Sequence, residues 1–123
     1  METKKDLLIN ILKSLRKVGG IKGSSVISRD GLIIASDMGS EVDAETFAAM
    51  SAAMQGAAET AVSELKQGKV KQVVIEAEKG KIISTGAGEL SILVILTESN
   101  INLGLLLLEM NKASKKIASV LKE

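Results

Sequence analysis

Cysteine, histidine, tryptophan and tyrosine are all absent from this 123-residue chain, and Phe47 is its only aromatic residue. Without histidine, the chain lacks the side chain whose unperturbed pKa suits proton transfer near neutral pH. Without histidine and cysteine, it also lacks the usual ligands of zinc, copper and iron–sulfur centres. We therefore expect no catalytic residues, no metal site and no cofactor, and a protein that is not an enzyme.

Nucleic-acid binding and membrane insertion are disfavoured on similar grounds. One aromatic side chain cannot form the stacking platform that single-stranded nucleic acids need, and a net charge of +1 argues against broad binding to phosphates. The longest apolar stretch, residues 103–108, is far shorter than the roughly 20 residues that cross a bilayer. Because the chain also lacks a signal-peptide pattern and cysteine, we expect a cytoplasmic protein with no membrane span.

The spacing of apolar residues predicts the order helix, two strands, helix, three strands, helix. The first helix is predicted over 3–18, the second is capped by Asp43 or Ser40 and runs to about residue 67, and the last begins near Ser99 or Asn100. The predicted strands are 24–29, 32–36, 70–77, 81–85 and 90–97. One sheet with helices on both faces would bury every apolar stripe, so we expect a layered α/β (α+β) fold in one domain spanning 1–123.

Two local patterns refine this prediction. Asp30-Gly31 between two apolar runs is typical of a β-hairpin with a type I′ turn, whose central residues both need positive φ. Residues 91–97 are apolar without alternation, which predicts a central strand covered on both faces.

The second predicted helix carries only three charged residues between positions 44 and 65. A helical wheel favours a sheet-facing side composed of Phe47, Met50, Met54, Ala57, Ala58, Ala61 and Leu65. The opposite side consists of Ala44, Ala48, Ser51, Ala52, Gln55, Glu59 and Val62. A solvated helix normally carries lysine and glutamate on its outer side, so we expect another chain to cover this one. An alanine-rich helix that faces water is the alternative, since alanine needs no partner to favour a helix.

Charge is distributed unevenly along the chain. Residues 1–22 carry six basic and two acidic side chains, residues 112–123 carry four basic and one acidic, and residues 43–64 carry four acidic and no basic one. A solvated surface is sufficient to explain the lysines. The glycines and serines of 19–25 are faintly similar to a phosphate loop, but that motif needs a strand before it and a helix after it, and here the predicted order is reversed.

Residues 26–36, 43–59 and 102–110 together resemble the Roadblock/dynein light chain family, in the right order and spacing across nearly the whole chain. The resemblance implies a five-stranded antiparallel sheet with the first and last helices on one face and the second helix on the other. It also implies a dimer formed through the second helix and the third strand. That pairing would place beside the partner strand the residues Val70, Gln72, Val74 and Glu76.

Relatives in this family bind small Ras-like GTPases, so the resemblance implies a homodimeric, non-catalytic module that binds such a GTPase and modulates its nucleotide cycle or localisation. Arg29 beside the hairpin turn is a candidate arginine finger, although an arginine at a turn is more often simply solvated. Two alternatives remain open. One is a ligand-sensing domain, which would need an enclosed pocket with convergent polar groups, and the other is an assembly scaffold without effect on GTP turnover.

Overall fold

The computed structural model describes residues 1–122, which form three α-helices, one 3-10 turn and five strands in the predicted order. The helices are α1 (Lys4–Leu15), α2 (Ala44–Glu64) and α3 (Leu103–Leu121), and the 3-10 turn Arg16–Val18 follows α1 directly. The strands are β1 (Ile21–Ser28), β2 (Ile33–Met38), β3 (Val73–Glu76), β4 (Lys81–Gly86) and β5 (Ser91–Thr97).

All five strands form one antiparallel sheet in the order β2-β1-β5-β4-β3. β5 is the central strand and is buried along nearly its whole length, as its unbroken apolar sequence predicts. β2 and β3 are the two edges. β3 is shorter than predicted, because Val70 and Gln72 precede the strand rather than belong to it.

Side-chain caps define where the helices begin. The Thr3 hydroxyl accepts a hydrogen bond from the Asp6 N–H, and the Thr3 N–H donates to the Asp6 carboxylate, so α1 starts with a capping box. The carboxylate of Asp43, and not Ser40, caps α2 by accepting from the Thr46 N–H. The amide oxygen of Asn102 caps α3, which therefore starts later than predicted.

The β1–β2 hairpin is confirmed, but the type I′ turn is wrong. Gly31 has φ +91°, whereas Lys66 is the only non-glycine residue with positive φ among 1–122, so Asp30 does not adopt the conformation that type I′ requires. The Gly31 N–H donates to the Ser28 carbonyl, and the Ser28 N–H donates to the Leu32 carbonyl. These bonds define a three-residue loop that ends in a left-handed glycine.

The two faces of the sheet carry unequal cores. One face packs against α1 and α3 through large apolar side chains, which include Leu8, Leu12, Val26, Leu93, Ile95, Leu106, Met110 and Ile117. The other face packs against α2 through a smaller cluster of Ile27, Ala48, Ala52, Ile92 and Val94. The placement of the helices on the two faces is therefore as expected, and α2 lies over the sheet mainly through alanines.

Candidate functional site

The structure reverses the two sides of α2 that the wheel assigned. The side expected to face outward lies on the sheet: Ala48, Ser51, Ala52 and Gln55 are buried, and Ala44, Glu59 and Val62 are half-buried. On the side expected to face the sheet, Met50 and Leu65 are 65% and 70% exposed. Ala57 and Ala61 are also exposed, Met54 and Ala58 are half-buried, and Phe47 packs into the core cluster beneath α2. The prediction of which side of α2 faces the sheet is therefore wrong: the small residues and Gln55 face the sheet, and the larger Met50 and Leu65 face outward.

Polar contacts fix α2 in the observed rotation. The buried Ser84 hydroxyl on β4 donates a 2.6 Å hydrogen bond to the Gln55 amide oxygen, and the Gln55 amide nitrogen donates to the Glu59 carboxylate at 3.2 Å. Turned outward, Gln55 would leave the Ser84 hydroxyl buried without this acceptor, which costs about 1–3 kcal/mol. The sheet side of α2 is thus specified by hydrogen bonding as much as by apolar burial.

A close backbone approach also favours small residues on this side. A Cβ placed on Gly31 would lie 3.2 Å from the Ala49 Cα and 3.6 Å from the Ala52 Cβ. The hairpin tip therefore lies directly against the first half of α2, and a large side chain at position 52 would push the two apart.

Arg29 joins three separate parts of the chain. Its Nη1 lies 2.6 Å from both carboxylate oxygens of Glu59, its Nε donates to the Glu89 carbonyl at 2.7 Å, and its Nη2 donates to the Gly88 carbonyl at 3.1 Å. Burial opposes ionisation of Glu59, but the hydrogen bonds from Arg29 and Gln55 outweigh it, so the pKa of Glu59 is lowered. An arginine engaged by three intramolecular acceptor groups is positioned to hold the fold together rather than to reach into another protein.

The outward side of α2 presents a regular row of small residues. Ala49, Ala53, Ala57 and Ala61 are spaced by four and all exposed, so they form one ridge along the helix. No charged residue lies between Glu45 and Glu59. Because small side chains let a second backbone approach closely, this ridge and the flanking Met50 have the chemistry of a helix–helix contact.

The edge strand β3 continues this apolar surface. Val73 and Ile75 lie opposite Ser84 and Ile82 on β4, and both of those β4 residues contact the α2 side of the sheet. Cross-strand partners share a face, so Ile75 lies on the same side of the sheet as α2.

The strand residues predicted at an interface lie as follows: Val70 is half-buried, Gln72 and Glu76 are exposed, and Val74 packs against the α1/α3 core. Their pairing with a second chain stays a prediction. The sequence analysis did not name Ile75, Ala49 or Ala53, and it placed Ala57 and Ala61 on the sheet-facing side, although the lack of charge in the helix was the signal that could have identified the ridge.

The part of the chain that is described also bears on metal binding, membrane insertion and surface depressions. Residues 1–122 contain no group of three or more acidic, histidine or cysteine side chains placed to hold a metal ion. None of the helices in that range is long and apolar enough to span a membrane. A depression of about 260 Å³ lies between α3 and the start of β3, and is lined by Lys71, Gln72, Thr85, Leu107, Met110 and Asn111.

Comparison with known proteins places this geometry in a family. A model of the Roadblock/LC7 domain matches residues 8–97. An uncharacterized protein of Methanocaldococcus jannaschii is 44% identical over 114 residues, which covers 93% of this chain and 99% of the relative. The solved structure of Myxococcus xanthus MglB is similar with a TM-score of 0.88 and 20% identity, over 99% of this chain and 92% of that one. A structure described as MglB with a tetrameric arrangement has a TM-score of 0.87 and 18% identity, over 98% and 91% of the respective chains.

Proposed function

The chain belongs to the Roadblock/LC7 family, and on that basis we propose that it is a non-catalytic homodimeric module that binds a small Ras-like GTPase. The module would consist of one domain over residues 1–123, act in the cytoplasm and need no cofactor. It would modulate the nucleotide cycle or the localisation of the GTPase.

The outward side of α2 carries this proposal. Apolar residues on a single-chain surface are usually scattered, and a continuous uncharged patch on a regular element is typical of an interaction site. Here Met50 and three alanines of the ridge, Ala49, Ala53 and Ala57, lie on the exposed side of a stretch with no charged residue between Glu45 and Glu59, and Ala61 and Leu65 extend this side to the end of the helix beside Glu64. We infer that α2 is buried on both sides, with Ala48 and Gln55 against the sheet and the alanine ridge against a second copy.

The dimer that we propose pairs α2 with α2 and the free edge of β3 with the same edge of a second copy. The two contacts are compatible. β3 is an edge strand of the sheet, and its residue Ile75 lies on the face that α2 covers, so one partner chain can contact both. A two-fold axis at that edge would continue the antiparallel sheet across both copies. A structure of the same fold is described as MglB with a tetrameric arrangement, which supports self-association as a property of this architecture.

A GTPase partner is proposed from the family resemblance together with the lack of reactive groups. Since the chain holds no histidine or cysteine and Arg29 is bound within the fold, an effect on GTP turnover would come from preferential binding to one conformation of the GTPase. A protein can shift such an equilibrium only by as much as its affinities for the two states differ.

The test is direct binding to purified Ras-like GTPases of the source organism, each loaded with GDP or with a non-hydrolysable GTP analogue. We expect a micromolar dissociation constant for at least one GTPase and at least about a fivefold preference for one nucleotide state. If no GTPase binds in either state at 100 µM protein, the proposal fails. Equal binding to both states without a change in hydrolysis would instead favour the assembly scaffold.

A further inference from the structure

A groove runs between α1 and α3 on the face of the sheet opposite α2. It has a volume of about 460 Å³, and its apolar lining comprises the buried Leu15 and Ala113 at the floor together with the more exposed Ile11, Val120 and Leu7. Its rim is polar and consists of Asn10, Ser14, Glu109, Lys112, Lys116 and Ser119. Neither the proposed α2 dimer nor the β3 edge covers this groove.

Two exposed leucines lie on α3 beyond the residues that line the groove. Leu105 and Leu108 are 41% and 53% exposed. Residues three or four apart share one side of a helix, so both leucines lie on the same side as Lys112 and Lys116. The exposed stripe of α3 is therefore apolar in its first half and basic in its second half.

The charge of this stripe is only partly neutralised within the chain. The Lys112 ammonium lies 3.5 Å from the Glu109 carboxylate, and these two groups and Lys116 are the charged groups that line the groove. Two ammonium groups thus face one carboxylate, on the part of the chain where basic residues outnumber acidic ones.

We propose that this groove binds an amphipathic helix of a partner protein, with leucine-like side chains on its buried side and carboxylates at the end that lies over Lys112 and Lys116. An apolar floor with a polar rim is how helix-in-groove sites recognise such segments, and opposite charge at one end sets the direction in which the helix docks. The α2 helix of a second copy does not match, because its outward ridge consists of Ala49, Ala53, Ala57 and Ala61 and not of leucine-sized side chains.

The shape of the site favours a helix over a membrane surface. Leu15 and Ala113 are buried at the floor, below the rim residues. A flat bilayer contacts apolar side chains that protrude, whereas a helix with side chains on a single narrow stripe can enter a concave groove.

The test uses a fluorescein-labelled, 18-residue synthetic helix that carries leucines on one side and glutamates at one end, and a control peptide with lysines in place of the glutamates. Fluorescence anisotropy with the full-length protein measures both affinities. We expect micromolar binding of the acidic peptide, at least about tenfold weaker binding of the basic one, and a decrease in affinity as salt is raised.

Matched variants locate the site. The double variant K112E/K116E should weaken acidic-peptide binding by about tenfold or more, whereas K115E/K122E, which changes the same charges on the same helix outside the groove, should change it by about twofold or less. L108Q should weaken binding and L90Q, at another exposed leucine, should not. Amide chemical shifts of the protein should change along α1 and α3 and not along α2.

Several results would overturn the proposal. The two double variants could weaken binding equally, or the peptide could shift the amides of α2. Anionic vesicles of phosphatidylserine and phosphatidylcholine could bind the protein more tightly than the peptide does and lose that binding in K112E/K116E, which would assign the groove to a lipid surface. The protein alone could form assemblies larger than a dimer that K112E/K116E dissolves, which would assign it to another copy of the chain. None of these readouts depends on a GTPase.

Discussion

The Nη1 atom of Arg29 lies 2.6 Å from both carboxylate oxygens of Glu59, and this ion pair connects the β1–β2 hairpin to α2. The same guanidinium donates to two carbonyls of the β4–β5 loop. Because Gln55 links Glu59 onward to Ser84 on β4, one chain of hydrogen bonds determines how α2 is rotated on the sheet, and hence which side of α2 faces outward.

This chain of contacts predicts an acid-sensitive contribution to stability. The pKa of Glu59 is lowered in the folded protein, so its carboxylate stabilises the fold above the usual pKa of glutamate, about 4.3, and that contribution is lost as the pH falls through the lowered value. Glu59→Gln should decrease the free energy of unfolding at pH 7 by about 0.5 kcal/mol, the scale of a solvent-screened ion pair, and should flatten its acid dependence between pH 5 and pH 3.

Urea unfolding at fixed protein concentration across that pH range measures both effects. Glu64→Gln is the matched control, because Glu64 is exposed on the same helix. Identical pH slopes for Glu59→Gln and the unmodified protein would show that the ion pair does not contribute to stability.

The buried pair Gln55 and Ser84 predicts strong coupling between two substitutions. Gln55→Leu leaves the Ser84 hydroxyl buried without its acceptor and should destabilise the protein by about 1–3 kcal/mol. Adding Ser84→Ala removes the unpaired hydroxyl, so the double variant should be about 1 kcal/mol more stable than the two single changes together imply. A double-mutant cycle from denaturant unfolding measures this coupling, and additive changes would mean that the hydrogen bond does not specify the rotation of α2.

The backbone conformation and close packing at Gly31 favour glycine over every other residue. Its φ of +91° and the 3.2 Å approach of the Ala49 Cα to the position of an added Cβ should make Gly31→Ala destabilising by about 1–3 kcal/mol. The control is Gly56→Ala, where nothing lies within 4 Å of the added Cβ and helix propensity should increase stability by about 0.5–1 kcal/mol. Thermal unfolding distinguishes the two, and equal melting temperatures would contradict the close packing of the hairpin on α2.

The proposed dimer pairs through the edge strand β3 and not through the other edge strand, β2. Ile75 on β3 and Ile33 on β2 are 41% and 37% exposed, so each is a comparable apolar residue on an opposite edge of the sheet. Ile75→Lys should raise the dimer dissociation constant by about tenfold or more, because a charge on an edge strand blocks pairing, whereas Ile33→Lys should leave it unchanged. Sedimentation at several concentrations measures the constant. A larger effect at Ile33 would move the interface to the other edge.

Much of the fold followed from local signals. The order of the elements, the cap at Asp43 and the central position of β5 depend on spacing, capping chemistry and apolar runs, which a sequence records directly. The resemblance to the Roadblock/dynein light chain family is confirmed by the match over residues 8–97.

The rotation of α2 could not be read from the same signals. Neither side of the helix carries charge between Glu45 and Glu59, so charge gave no preference, and the larger side chains of Met50 and Leu65 suggested the wrong side. What decides the rotation is the position of Ser84 and Arg29, which approach α2 only after the sheet has formed. Tertiary hydrogen bonds of this kind leave no periodic pattern in the sequence.

The proposed function requires a second copy to cover the outward side of α2, and the solution mass of the protein with a charge placed on that side tests this directly. At 10 µM, light scattering after gel filtration should give twice the mass of one chain for the unmodified protein and for the control Asn111→Arg, which alters an exposed residue of α3. Ala57→Arg, in the centre of the alanine ridge, should give the mass of one chain with unchanged helical content. A monomeric unmodified protein, or a dimer that Ala57→Arg leaves intact, would contradict the claim.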